Sequence, residues 1–176
     1  RGDNDYVTFN QIYAYNKKTQ KLNCINSFNS NGSYQNEIVA ADKNYVTISN
    51  TDQPAEVGWI SWNIPYKYSK GKLVASTTST TTVKSLIANN RKDKYSKYFA
   101  KNQFVTAKKL TFYNGSKVAY TVPKGKVVTL TKLSLSKNVI YLQFKYGKKT
   151  GWAHVNGAKY DFTKPWFQGV NARLAG

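Results

Sequence analysis

Apolar and polar residues alternate with a period of two through most of the second half of the chain. In "KLTFY" (109–113) Leu110 and Phe112 share a face, and in "KVAYTV" (117–122) Val118, Tyr120 and Val122 do the same. "NGS" (114–116) separates those two runs, and "PKGK" (123–126) leads into "VVTLTKLSL" (127–135). "NVIYLQFKY" (138–146) then meets "TGWAHV" (150–155) across "GKK", a hairpin signal. Five short strands with turn residues between them, in under about 60 residues, predict a small, strongly bent β-barrel.

The first half repeats this layout. "YVTFNQIYAYN" (6–16) aligns with "FVTAKKLTFYN" (104–114), "DKNYVTI" (42–48) with "SKNVIYL" (136–142), and "VGWISWN" (57–63) with "TGWAHVN" (150–156). A duplicated unit of this size is a small domain rather than a solenoid repeat. The chain therefore divides into a first unit over 1–63, a connector over 64–103, and a second unit with a tail over 104–176. Both Gly58 and Gly151 precede a Trp, where glycine permits a kink or bulge and the indole fills the barrel or lines its groove.

The connector carries a helical period. "STTTVKSLIANN" (79–90) offers Ser79 or Thr80 as a cap, with Val83, Leu86 and Ile87 on one face. "DKYSKYFAKN" (93–102) restarts at Asp93, with Tyr95, Tyr98 and Phe99 on a stripe expected to dock on a barrel. The connector is thus expected to hold one or two short helices, and the fold class to be mainly β.

Charge changes the picture from architecture to partner. The 176 residues carry 27 basic and eight acidic side chains, a formal net of +19. The excess is placed unevenly: net −1 over 1–63, +8 over 64–103 and +12 over 104–176. Lysines that only solubilise a surface do not require acids to be nearly absent from its second half, so a polyanionic partner is expected. All basic residues but Arg1, Arg91 and Arg173 are lysine. Lysine is a mobile point charge, better suited to a flexible repetitive polyanion than to reading base edges with arginine forks.

"VPKGKVVTL" followed by "NVIYLQFKYGKKTGWAHV" resembles bacterial SH3-like cell-wall-targeting domains, including the Gly-Trp (GW) modules of surface proteins and autolysins. The likeness covers 104–156 well and 6–63 less well, where "NTDQPAE" stands in place of the basic hairpin and "NSFNSNGSYQNE" in place of the Pro-Gly turn. "YSKGKLVASTTSTTTVKSLIANNRKDKYSKYFAKNQFVT" is similar to the N-terminal wall-binding region of S-layer proteins of lactobacilli. The resemblance implies two SH3-like barrels and non-covalent attachment to teichoic acid, lipoteichoic acid or another wall polysaccharide. It also implies a secreted, surface-located parent protein, with self-association into a lattice as a further role. Scarce cysteine and frequent Lys and Asn suit a low-GC Gram-positive genome. The start "RGDNDYV" reads as a mature or excised N-terminus, compatible with a removed export signal, and its "RGD" as a chance tripeptide.

Catalytic chemistry is not visible. Cys24 and His154, single copies of their kinds, have no peptidase signature around them and read as a structural thiol and an edge histidine. In the basic half the acids are Asp93 and Asp161, too few and too distant in sequence for a glycosidase pair. No phosphate loop or metal-ligand spacing occurs, so neither enzyme activity nor a cofactor or metal is expected. No apolar run approaches the roughly 20 residues of a membrane helix, so no span is expected. The candidate ligand ammoniums are Lys108, Lys109, Lys124, Lys126, Lys145, Lys148 and Lys149. Candidate stacking platforms are Tyr113, Tyr146 and Trp152, with Tyr160 and Trp166 from the tail. The competing ligand classes are single-stranded nucleic acid and glycosaminoglycan.

Overall fold

The computed structural model describes residues 10–28, 35–90, 93–136, 139–155 and 159–170. The "RGD" start, residues 6–9 of the first repeat, the "NSNGS" stretch at 29–33, Arg91, Lys92 and Arg173 lie outside the described residues. The chain is mainly β, with antiparallel sheets and, among the described residues, one short α-helix. It separates into two compact units. Unit 1 comprises residues 1–51 and 63–77, and unit 2 comprises 52–62 and 78–176. This grouping differs from a cut at residue 63: the first Gly-Trp pair and much of the connector belong with the second half. Unit 1 holds eight basic and four acidic residues for a net of +4, and unit 2 nineteen and four for +15.

Unit 1 is built from hairpins. β1 (Asn10–Asn16) pairs with β2 (Lys21–Phe28) as a separate two-stranded sheet. β3 (Gln35–Ala41) pairs with β4 (Tyr45–Asp52), whose turn is set by Asp42: its carboxylate accepts the Asn44 and Tyr45 N–H groups at 2.6 and 2.8 Å. Those two bonds hold the Asp42 carboxyl below the usual carboxylate range. β5 (Ile60–Ser69), of which residues 63–69 belong to this unit and 60–62 to unit 2, pairs with β6 (Lys72–Ala75) through a two-residue turn. Ile48 and Ile64 are buried, while Tyr13, Tyr15, Leu22, Tyr68 and Val74 stay exposed.

Unit 2 has the denser interior. After β7 (Ser79–Thr80), β8 (Lys84–Ser85) and a 3-10 turn at Ile87–Asn90 come α1 (Ser96–Phe99) and β9 (Gln103–Val105). β10 (Leu110–Asn114), β11 (Lys117–Val122), β12 (Val127–Ser136), β13 (Val139–Tyr146) and β14 (Lys149–His154) follow. The main sheet runs β11-β10-β14-β13-β12-β7, with β9 also on β12. Its inner face is the alternating apolar set. Leu110, Phe112, Tyr120, Val122, Val128, Leu130, Leu133, Leu142 and Phe144 are all buried. Phe104 sits among Phe99, Phe144 and Phe167 with ring centroids 5.5, 5.9 and 5.0 Å away. Burying each such side chain stabilises by roughly 1.5–3 kcal/mol.

Three local expectations are corrected. Residues 79–90 do not form a helix: they make β7, β8 and the 3-10 turn. Ser85 and Lys84 pair with Ile60 and Ser61 of β5, and the Asn102 side chain accepts from Ser85 N–H (2.8 Å) and donates to the Val83 carbonyl (3.0 Å). Those distant partners satisfy backbone groups that a helix would have satisfied locally. The second expected helix shrinks to α1, preceded by Asp93, whose carboxylate accepts the Tyr95 and Ser96 N–H groups. Its stripe does dock: Phe99 is buried, and the Tyr95 hydroxyl donates to Gln168 Oε1 at 2.8 Å. Val118 does not share the buried face of Tyr120 and Val122. A bulge lets it stand opposite Tyr113, 61% exposed.

Candidate ligand-binding face

Strand register decides which side chains stand together. The turn Gly147–Lys148 joins β13 to β14 so that Tyr146 faces Lys149, Gln143 faces Trp152 and Tyr141 faces His154. β10 then places Tyr113 opposite Trp152, and β12 places Lys132 opposite Gln143. Cross-strand partners share a face. Leu142 and Phe144 point into the core, so Tyr113, Trp152, Gln143 and Lys132 form one row across the outer face of four adjacent strands. With strands about 4.8 Å apart, the row spans roughly 14 Å. Lys145, two residues from Gln143, lies on the same face, as do Tyr141 and His154, whose rings are 6.2 Å apart. Trp152 is half-buried, and Tyr113, Lys132, Tyr141, Lys145 and His154 are exposed. Thr131 donates its hydroxyl to Gln143 Oε1 at 2.9 Å, which fixes the amide and leaves its NH2 as the donor of the row.

The tight packing beneath this face explains Gly151. A Cβ there would lie 2.9 Å from Phe112 Cβ, 3.0 Å from Tyr120 Cε1 and 3.1 Å from Ala119 Cβ. Tyr120 closes over it, donating its hydroxyl to the Phe144 carbonyl at 2.6 Å. Burial pushes that hydroxyl up to about 12.

The remaining candidates fall in three other places. Tyr146 and Lys149 belong to the opposite side of the hairpin, where Tyr146 stacks on Tyr120 at 6.4 Å, and Lys148 is in the exposed turn. Lys124 and Lys126 are exposed on the Pro-Gly turn, which buried Thr106 rivets in place. Thr106 Oγ1 donates to the Pro123 carbonyl at 2.7 Å and accepts Lys126 N–H at 3.0 Å. Lys109 is exposed just before β10, whereas Lys108 Nζ is engaged with the Lys164 carbonyl at 2.7 Å and so holds the tail. Tyr160 and Trp166 sit in that tail, the Trp166 N–H donating to the Tyr160 oxygen at 3.2 Å and Tyr160 meeting Phe162 edge-on. Burial raises the Tyr160 hydroxyl, with the Trp166 bond opposing it. Nearby Asp161 is held below its usual range by the Thr163 hydroxyl and N–H.

Of the candidates, the structure brings Tyr113, Trp152 and Lys145 together. Lys132, Tyr141, Gln143 and His154 complete their face and were not among the sequence candidates. The sequence reading put three residues, "GKK", in the connection, whereas β14 begins at Lys149, and this two-residue turn sets the register that brings Tyr141, Gln143 and His154 onto the face. The face is acid-free over a long stretch of sequence: no Asp or Glu occurs between Asp93 and Asp161. Among the described residues no group of three or more His, Cys, Asp or Glu side chains could hold a metal ion. No described helix is long and apolar enough to cross a membrane. No family model matches the chain, and neither the curated proteins nor the solved structures contain a significant match to it.

Proposed function

We propose that this chain is a non-catalytic cell-wall-binding module that anchors a secreted surface protein, of the S-layer kind, to anionic wall polymers such as teichoic or lipoteichoic acid. The observation that carries the reading is the outer face of unit 2, where Tyr113 and Trp152 stand side by side with Lys132 and Lys145 nearby. Lysine ammoniums neutralise phosphates, and ring faces stack on sugar carbons. The SH3-like, GW-type reading of the two units is supported by the β13–β14 hairpin around Gly151–Trp152 and by the repeated segments. Each exposed ion pair contributes ~0–1 kcal/mol, so affinity comes from many contacts along a repetitive polymer. Counterion release makes such binding strongly salt-dependent, by analogy with nucleic acids.

The test is co-sedimentation of the chain with purified Gram-positive walls, before and after chemical extraction of teichoic acid, with single-stranded DNA as competitor. Binding is expected to disappear on extraction and to resist the DNA. Retention after extraction shifts the assignment to peptidoglycan or a neutral glycan. Displacement by equimolar DNA phosphate shifts it to a single-strand binder, which the same aromatics and lysines would also suit.

A further inference from the structure

We infer that the row Tyr113, Trp152, Gln143 and Lys132 is a subsite for a sugar ring carried on a phosphodiester chain, so that the protein prefers a glycosyl-substituted phosphopolymer to a bare one. This rests on the polyanion reading above and names the part of the polymer that the face recognises.

The row is graded in chemistry from one end to the other. Tyr113 and Trp152 are register partners on β10 and β14, and partners of this kind have Cβ atoms about 5 Å apart. The two rings therefore stand on one face, on adjacent strands. A phosphate has nothing to gain from such a surface, because an anion is repelled by the negative face of a ring. A pyranose presents a face of C–H groups that does gain from it. Tyr113 is 42% exposed and the indole half-exposed, so both remain within reach of a ligand.

Gln143 comes next, directly opposite Trp152. Its Oε1 is occupied by Thr131, so its NH2 is aimed as a donor for a hydroxyl at the edge of a stacked ring. Lys132 follows on β12, one strand further on. Its ammonium reaches an anion about two strand spacings, roughly 10 Å, from the aromatic pair. Ring, hydroxyl and anion are thus met in that order along one line. A bare polyol phosphate uses only the last position, a free neutral glycoside only the first two, and a substituted phosphopolymer all of them. The bulge at Thr131 is what turns Lys132 outward into this row, by shifting the β12 register between Leu130 and Lys132.

The experiment titrates the full chain with bare poly(glycerol phosphate) and with the same polymer bearing glucosyl substituents, at matched phosphate and two salt concentrations. The substituted polymer is expected to bind about tenfold more tightly, the effect of one added ring stack. Tyr113→Ala and Trp152→Ala are expected to bring its affinity down to that of the bare polymer, whose own binding stays within about twofold because the lysines remain. Lys132→Ala is expected to weaken both polymers alike and reduce the salt dependence. Tyr113→Ala removes an exposed ring and keeps the test valid if Trp152→Ala melts early. Equal affinity of the unaltered chain for both polymers, or a preference that survives Tyr113→Ala, overturns the subsite while leaving the polyanion reading standing. Failure to bind either polymer overturns both.

Discussion

Gly58–Trp59 and Gly151–Trp152 carry the same two letters, and both lie in unit 2, yet their glycines are required for different reasons. Gly58 has φ +66°, in the left-handed region, where it ends the turn in which its N–H and that of Val57 donate to the Pro54 carbonyl. A Cβ there would lie 2.9 Å from Ile87 Cδ1, the movable end of a side chain. Gly151 sits inside β14, and its constraint is space rather than backbone angle: two of its three close neighbours are Cβ atoms of Phe112 and Ala119, tied to their own strands. The tryptophans part company too. Trp152 joins a row on the outer face of the sheet, while the Trp59 carbonyl accepts the Leu86 N–H and ties the turn to the segment after β8. A repeated dipeptide therefore marks a repeated chain position without marking a repeated job.

The comparison breaks most visibly at Gly151. Gly151→Ala is expected to cost about 2–3 kcal/mol through overpacking against backbone-anchored atoms, read as a lower melting temperature and faster amide exchange in β13 and β14. A loss no larger than that of Gly58→Ala would show that crowding around Gly151 constrains it no more than the backbone angle constrains Gly58.

Tyr120 tests the same crowding from above. Tyr120→Phe is expected to cost about 1–2 kcal/mol at neutral pH, because the buried Phe144 carbonyl loses its donor. The folded state holds the Tyr120 proton more tightly than the unfolded chain, with the hydroxyl near 12 rather than 10.0. Its contribution is therefore complete below pH 10 and is lost as pH rises through about 12. Alkaline denaturation curves should be shallower between those values for Tyr120→Phe than for the unaltered chain.

The smallest effects belong to Gly58. Gly58→Ala is expected to cost about 1 kcal/mol, mainly from left-handed backbone strain. Ile87→Val removes the Cδ1 atom that the new methyl meets, so the added cost of Gly58→Ala should shrink in that background. An unchanged cost in a double-mutant cycle would show that space around Ile87 plays no part.

Much of unit 2 was legible because its information is local. Alternation placed Leu110 with Phe112 and Tyr120 with Val122 on shared faces, all four buried, and the "NGS" and "GKK" signals marked two hairpins whose partners are neighbours in sequence. The bulges were not legible: in "KVAYTV" and "LTKL" an extra residue leaves the letters looking like an uninterrupted strand. The first of them exposes Val118, and the second turns Lys132 outward. The connector misled for a related reason. Val83, Leu86 and Ile87 fit a helical stripe, and Val83 and Ile87 are indeed buried. But Asn102 and β5, far along the chain, compete for the same backbone groups and win.

The sequence by itself determined a lysine-dominated, acid-poor, mainly β chain, because composition and period-two alternation act through each residue and its nearest neighbours. Only the tertiary structure decided that Tyr113, Trp152, Gln143 and Lys132 would stand in line. Hydrogen bonding between strands brings together positions as far apart as 113 and 152, and a single bulge residue moves a side chain from one face of a sheet to the other.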